Sequence, residues 1–223
     1  MQYLYHKEAG ASQLQLSGDP HRYLFKVRRQ RAGETIHLRN LNDQILYSYH
    51  IEHLDKKTAL LQKVEQRELR IEAKQHLHIG WCLIDPKSIE KILPTLNEMG
   101  VSQITFIYCQ RSQKSFHLDF DRMRIILLNS SQQCGRSVMM ILDRAETLAL
   151  FLQENPDSWM LNFSENLLDS NTKHIETLLI GGEGGFGEEE SGLIDAEKIV
   201  GLDTPLILKS ESAVCAAAGK LLV

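Results

Sequence analysis

The sequence predicts an α/β protein in two parts: a small β-barrel carrying one helix over residues 1–72, and a parallel α/β sheet over residues 73–223. Three observations predict it. Residues 34–72 consist of short alternating or β-rich runs separated by turn residues. From about Lys74, strand-like apolar runs alternate with helical stretches, the pattern of a parallel sheet with helical crossovers. No low-complexity linker lies between the halves, so the boundary near 72–75 is a change of pattern and not of composition.

The elements follow in order. Asp19-Pro20 is a helix start, with Tyr23, Leu24 and Val27 on one face. ETIHLRN, QILYSYHIEHL and TALLQKVEQ read as strands, with turns at residues 40–43 and 55–57. KQHLHIGWCLI is a buried strand. PKSIEKILPTLNEMG is an amphipathic helix, opened by Pro86 and closed by Gly100. ITFIYC (104–109) is a second strand, and DFDRMRIILLNSSQQCG a helix. DRAETLALFLQE (143–154) reads as a helix with Asp143 and Glu146 at capping-box spacing. SWMLNF, IETLLIG and EKIVGL read as strands, and residues 210–222 as a final Ala-rich helix.

The 223 residues are 43% hydrophobic and 24% charged, which supports a core and an ordinary surface. No apolar run nears the ~20 residues that span a bilayer, and MQYLYHKEAG has no signal-peptide core. The expectation is a soluble, cytoplasmic protein that does not engage a membrane. Cys82, Cys109, Cys134 and Cys215 are far apart and form no CxxC pair, so all four are expected to be reduced and structural.

Charge is uneven. Residues 1–73 hold 12 basic and 9 acidic side chains; the remainder holds 13 and 20. Within the first part, HRYLFKVRRQRAG (21–33) gathers Arg22, Lys26, Arg28, Arg29 and Arg31. Such a cluster suits a polyanion partner or a solvated face.

IGGEGGFGEEE (180–190) places a glycine-rich loop after an apolar strand and follows it with three glutamates. It lacks the GK[ST] of a phosphate loop, and Glu183, Glu188, Glu189 and Glu190 repel a polyphosphate. Carboxylates at a helix start are favoured by its dipole, by ~0.3–1 kcal/mol each, which leaves Glu183, between glycines, unexplained. The glycines allow close approach of backbone to a ligand. The ligand suited to this loop is neutral or cationic, as S-adenosylmethionine is; a tight strand-to-helix turn is the alternative. His76 and His78 alternate on one strand without a third ligand, and His50 and His53 are no better placed, so no metal is expected.

Five segments in order resemble one family. HRYLFKVRRQRAGE, LNEMGVSQITFIYCQRS (96–112), SSQQCGRS (130–137), IGGEGGFGEEE and ILKSESA (207–213) together resemble the 16S ribosomal RNA uridine-N3 methyltransferases (RsmE type) of the SPOUT superfamily. The resemblance runs nearly end to end. This chain departs from the family pattern at Gly182 (Pro in the family), Gln132 (Glu), Lys209 (Arg) and Ser212 (Thr).

The resemblance implies a PUA-like β-barrel over 1–72 and a SPOUT methyltransferase domain over 73–223 with a deep C-terminal trefoil knot. It implies a homodimer acting on 16S rRNA of the 30S subunit, and metal-free methyl transfer from S-adenosyl-L-methionine to N3 of a uridine. The cofactor pocket would comprise Asn162 and Phe163; Ile180, Gly181, Gly182, Glu183, Gly184 and Gly185; and Leu202, Leu206, Ile207, Leu208, Ser210 and Ala213. Arg136 and Lys209 are the candidate catalytic cations. Arg111, behind them, joins Arg22, Lys26, Arg28, Arg29 and Arg31 as an RNA contact. The alternative roles are an ion pair for Arg136, a carbonyl cap for Lys209 and a loop N–H acceptor for Glu183. Two further readings stay open: an RNA-binding protein that has lost methylation, and a methyltransferase with another RNA target.

Overall fold

A computed structural model describes residues 2–113, 115–169 and 174–223. The chain forms two compact units, Met1–Glu72 with Leu128–Met139, and Ala73–Leu127 with Met140–Val223.

The first unit is a five-stranded sheet. Its strands are β1 (Leu4–Tyr5), β2 (Gln13–Ser17), β3 (Thr35–Arg39), β4 (Ile45–Leu54) and β5 (Thr58–Glu68), in the order β1-β3-β4-β5-β2. All pairings are antiparallel except β1 with β3. In β2, Leu14 and Leu16 turn inward while Gln13, Gln15 and Ser17 face out, the two-residue period of a half-buried strand. Leu14 stands opposite Leu61, and both join Leu38, Tyr49 and Ile51 in the core. The turn at residues 40–43 is organised by Asn40, whose Oδ1 accepts from the N–H groups of Asn42 and Asp43. The expected helix is α1 (Gly18–Arg22), which continues as a π-helical turn over Tyr23–Val27. That wider turn corrects the expected face. Leu24 is buried, but Val27 is 61% exposed, because π pitch carries a residue off the i, i+3 stripe.

The second unit is a wholly parallel six-stranded sheet. Its strands are β6 (His78–Cys82), β7 (Gln103–Ile107), β8 (Ile141–Ala145), β9 (Trp159–Leu161), β10 (Thr177–Ile180) and β11 (Ile199–Val200), in the order β11-β9-β10-β6-β7-β8. Strand β6 is buried throughout. Gly80 is required there, since a Cβ would lie 2.7 Å from Leu179 and 2.8 Å from Phe151. Helix α2 (Pro86–Met99) starts where Asp85 accepts from the Ser88 N–H at 3.0 Å and ends on Gly100 at φ +99°. Helix α3 is Phe120–Cys134, α5 is the single turn Glu188–Ser191, and the last helix, α6 (Ser210–Leu222), buries Val214, Ala217, Ala218 and Leu221.

Two expectations are corrected in this unit. Residues 143–145 are not helical: they belong to β8, an edge strand, and helix α4 (Leu148–Glu154) starts at the cap Thr147. With one side unpaired and its side chains largely exposed, β8 lacks the apolar alternation that marks a strand. Nor are all cysteines reduced. Cys82, at the end of β6, is bonded to Cys109, just past β7, with Cα atoms 5.6 Å apart. Neighbouring parallel strands bring the two within bridging range although 27 residues separate them. Cys134 and Cys215 are not disulfide-bonded.

His78 is buried on β6, its Nε2 2.8 Å from Thr105 Oγ1 and its ring edge-on to Phe151. Burial pushes its pKa down from 6.5 to about 4. A histidine depressed in the folded state stabilises fully above its unfolded pKa and loses that contribution as pH falls from 6.5 toward 4. Denaturant unfolding is expected to show a loss of about 2 kcal/mol between about pH 7 and pH 5 from this residue. His78→Gln should flatten the slope; an unchanged slope would show that His78 is not its source.

Candidate functional site

A cavity of about 360 Å³ opens in the second unit, beyond the C-terminal ends of β9, β10 and β11. Ligands of open parallel sheets bind at strand ends of this kind. Three chain segments line it: residues 161–164 leaving β9; Ile180, Gly181, Gly182 and Gly185 leaving β10; and residues from Gly201 to Ala213 leading from β11 into α6.

Its shape depends on backbone contacts that side chains would block. Gly201 stands so close to the strand β9 exit that a Cβ would lie 2.1 Å from the Ser164 carbonyl oxygen. A Cβ on Gly181 would meet the Cα of Gly185 at 3.1 Å, and Gly185 has φ +65°. The buried Ser210 hydroxyl ties the parts together: it accepts from Trp81 Nε1 at 2.8 Å and donates to the Gly181 carbonyl at 2.5 Å.

Among the described residues, no Lys or Arg lines the cavity. Several lining polar side chains are already engaged: Asn162 Oδ1 accepts from the Phe163 N–H, Ser164 Oγ donates to Ile199 O, and Thr204 Oγ1 accepts from the Leu206 N–H. A ligand therefore meets apolar walls from Leu161, Ile180, Leu202 and Leu208, together with glycine backbone.

The glutamates after the glycines serve different ends. Glu190 is buried, accepting from the Gln110 N–H at 2.8 Å and from the Gly187 N–H at 2.9 Å. Glu189 accepts from Gln110 Nε2 at 2.6 Å. Glu183 and Glu188 are exposed.

Of the residues expected around a cofactor, Asn162, Phe163, Ile180, Gly181, Gly182, Gly185, Leu202, Leu206, Leu208, Ser210 and Ala213 line the cavity. Glu183, Gly184 and Ile207 do not; Ile207 is 83% exposed, and Gly184 carries its carbonyl to Arg111 Nη1 at 2.5 Å. Lys209 is the exposed N-cap residue of α6, next to Ser210. Arg136 lies in the first unit, buried, with its Nε donating to Val138 O at 2.8 Å and its carbonyl accepting from the Tyr3 hydroxyl. Burial holds its pKa below the usual arginine value. Arg22, Lys26, Arg28, Arg29 and Arg31 are all exposed, with Arg28 bonded to the Tyr23 hydroxyl and stacked over its ring. Sequence reasoning missed Leu161, Ser164, Gly201 and Thr204. The signal for Gly201 was a glycine immediately after a strand run, the same signature that singled out Gly181.

Among the described residues, no group of three or more His, Cys, Asp or Glu side chains is placed to hold a metal ion, and no helix is long and apolar enough to cross a membrane.

Comparison with known proteins agrees with this architecture. Residues 71–222 match the model of an RNA methyltransferase domain, and residues 16–64 that of an RNA methyltransferase PUA domain. Ribosomal RNA small subunit methyltransferase E of Helicobacter pylori strain J99 is 36% identical over 216 residues, 96% of each chain. A probable rRNA methyltransferase from Porphyromonas gingivalis superposes with a TM-score of 0.83 at 18% identity, covering 100% of this chain and 98% of that one. Ribosomal RNA small subunit methyltransferase E of Neisseria gonorrhoeae, solved bound to S-adenosyl methionine, gives 0.80 at 18% identity over 98% and 95%.

The glycines of the cavity are expected to differ in tolerance. At Gly182 an added Cβ makes only ordinary contacts of 3.7 Å, so Gly182→Ala should be near neutral. Gly185→Ala should cost about 1–2 kcal/mol from its left-handed backbone alone, and Gly201→Ala more, because a backbone carbonyl must move. Urea unfolding of the three variants checks the order; equal stabilities would contradict the geometry.

Proposed function

The chain belongs to the ribosomal RNA small subunit methyltransferase E family of RNA methyltransferases, and on that premise we propose that it uses S-adenosyl-L-methionine to methylate N3 of one uridine in 16S rRNA of the 30S subunit. The observation that carries the reading is the cavity at the ends of β9, β10 and β11, walled by glycine backbone and apolar side chains, with no cation among the described lining residues. Its volume falls within the range of small-molecule sites. A ligand with phosphates would meet no Lys or Arg among the described lining residues; one with an aromatic ring and a sulfonium suits the lining. Leu161, Ile180, Leu202 and Leu208 would hold the ring, glycine-loop backbone its polar edge, and exposed Glu183 would favour the positive charge. Bound there, the cofactor supplies an electrophilic methyl group on sulfur.

The protein's own work is positioning and electrostatics. Uracil N3 lies on the pairing edge, so the base must be presented unpaired. N3 loses a proton as it is methylated, and a cation beside the uracil oxygens lowers the cost of the developing negative charge. Lys209, one residue from Ser210 of the lining, is assigned this role, with Arg136 as the second candidate. Residues 73–223 are the methyl-transferring part and residues 1–72 the RNA-holding part, in which Arg22, Lys26, Arg28, Arg29 and Arg31 form an exposed basic strip. Arg111 is assigned to the RNA as well. A C-terminal knot belongs to this reading through the family resemblance, and exposed Phe163, Leu206 and Ile207 support a homodimer that covers them.

Incubation with methyl-labelled S-adenosylmethionine and unmodified 30S subunits, followed by nucleoside mass spectrometry, is expected to yield labelled 3-methyluridine. Label in another nucleoside would replace the N3 assignment; none, with cofactor binding intact, would leave an RNA-binding protein or a methyltransferase with another RNA target. Replacing Arg28, Arg29 and Arg31 with alanine is expected to weaken RNA binding and to lower the slope of log K against log salt by about 1 for each lost phosphate contact. An identical slope would remove the basic strip from the RNA surface.

A further inference from the structure

Apart from Ser210, the residues that hold the glycine loop in place lie outside the cavity it helps to form. The turn that follows β7, residues 109–112, grips the loop at three points. Glu190, 6% exposed, uses its two carboxylate oxygens on two different backbone N–H groups, that of Gln110 in the turn and that of Gly187 in the loop. Gln110 reaches back to Glu189, and Arg111 Nη1 donates to the Gly184 carbonyl. The turn itself is fixed to the central strand β6 by the Cys82–Cys109 bond and by Ser112 Oγ donating to Leu83 O at 3.1 Å. The loop's free span, Gly181 to Gly187, is thus anchored at its start by Ser210, in its middle by Arg111 and at its end by Glu190.

We propose that Glu190 is a positioning residue of the methyl-transfer reaction: its buried carboxylate sets the glycine loop against the turn after β7 and thereby holds the cofactor wall in its binding shape. Glu190 touches neither cofactor nor RNA in this role; it acts through the loop backbone. The inference rests on the reading of the cavity as the cofactor site. A glycine-rich span loses more conformational freedom on ordering than any other, so a loop released at one end must be re-ordered by each cofactor molecule that binds. That cost falls on cofactor binding and not on the chemical step.

The test compares Glu190→Gln, Glu190→Ala and Gly201→Ala, measuring cofactor dissociation constant by calorimetry, KM for each substrate, kcat and thermal unfolding. Glutamine preserves volume, but its amide oxygen accepts from only one of the two N–H groups while its NH₂ opposes the other. Glu190→Gln is expected to raise the cofactor dissociation constant and KM about tenfold or more, leaving KM for RNA and kcat at saturating cofactor near wild type. Glu190→Ala should do so more strongly. If Gly201→Ala, which displaces the cavity wall, abolishes cofactor binding while Glu190→Gln binds as wild type, the positioning role is overturned and the cavity reading stands. If both bind as wild type, the cavity reading falls and the proposal with it. A lower unfolding temperature in the Glu190 variants without a change in cofactor KM would likewise overturn it, reducing Glu190 to a stabilising contact.

Discussion

The hydroxyl of Ser210 is the contact on which the site depends. It lies at the first turn of α6, buried, between the indole N–H of Trp81 on the central strand β6 and the carbonyl of Gly181 at the exit of β10. One small polar group therefore locates the start of the last helix, the start of the glycine loop and the middle of the sheet relative to one another. Buried polar groups of this kind are costly unless every partner is present, so the three elements are held as a set. The cavity is the space left between them once β9 and β11 have added their own exits, and glycine backbone consequently forms part of its walls.

That origin explains why acidity and glycine occur together in residues 180–190. Approach of backbone to backbone excludes a side chain at Gly201 and crowds one at Gly181, and Gly185 is needed for its left-handed φ of +65°. A span so rich in glycine does not hold its own shape, and the carboxylates that follow provide external restraint. Glu190 turns inward to two N–H groups, and Glu189 engages Gln110. Of the acidic side chains in the stretch, only Glu183 and Glu188 remain facing solvent without a place in this bracing. Half of the acidity is thus architectural: Glu189 and Glu190 brace the loop, while Glu183 and Glu188 stay exposed.

Much of this was readable from the sequence where the determinants are local. Asp85, Pro86 and Gly100 bound α2 through capping chemistry that needs no tertiary partner. The β2 strand shows a clean alternation, yet went unassigned because five residues beside an irregular start carry little signal. Strand β8 was hidden for a different reason: as an edge strand with exposed side chains it has no apolar period, and Asp143 and Glu146 imitated a helix cap. The Cys82–Cys109 bond was invisible because strand pairing, not spacing, brings the two residues together. The cavity divides the same way. The glycine loop announces itself by composition, whereas Ser164 and Thr204 matter through segments that meet only in three dimensions, and Glu190 looks like any helix-start acid until its partners are known.

The departures of this chain from its family pattern can be weighed against the same geometry. Gly182 replaces a proline, but its φ is not positive and a Cβ there would meet Cys82 and Ile84 only at ordinary contact distance. The turn around it closes through the Gly185 N–H to the Gly182 carbonyl, a bond that either residue can accept. Loop shape is dictated instead by the left-handed Gly185 and by the anchors at either end, so the loss of proline adds freedom to the unfolded chain without removing a native contact. Lys209 keeps a positive charge at the N-cap of α6, where the helix dipole disfavours a cation. Placing one there is unfavourable for the helix by about 0.3–1 kcal/mol, and the Lys209 side chain makes no capping bond in return, so the folding of α6 does not account for the charge.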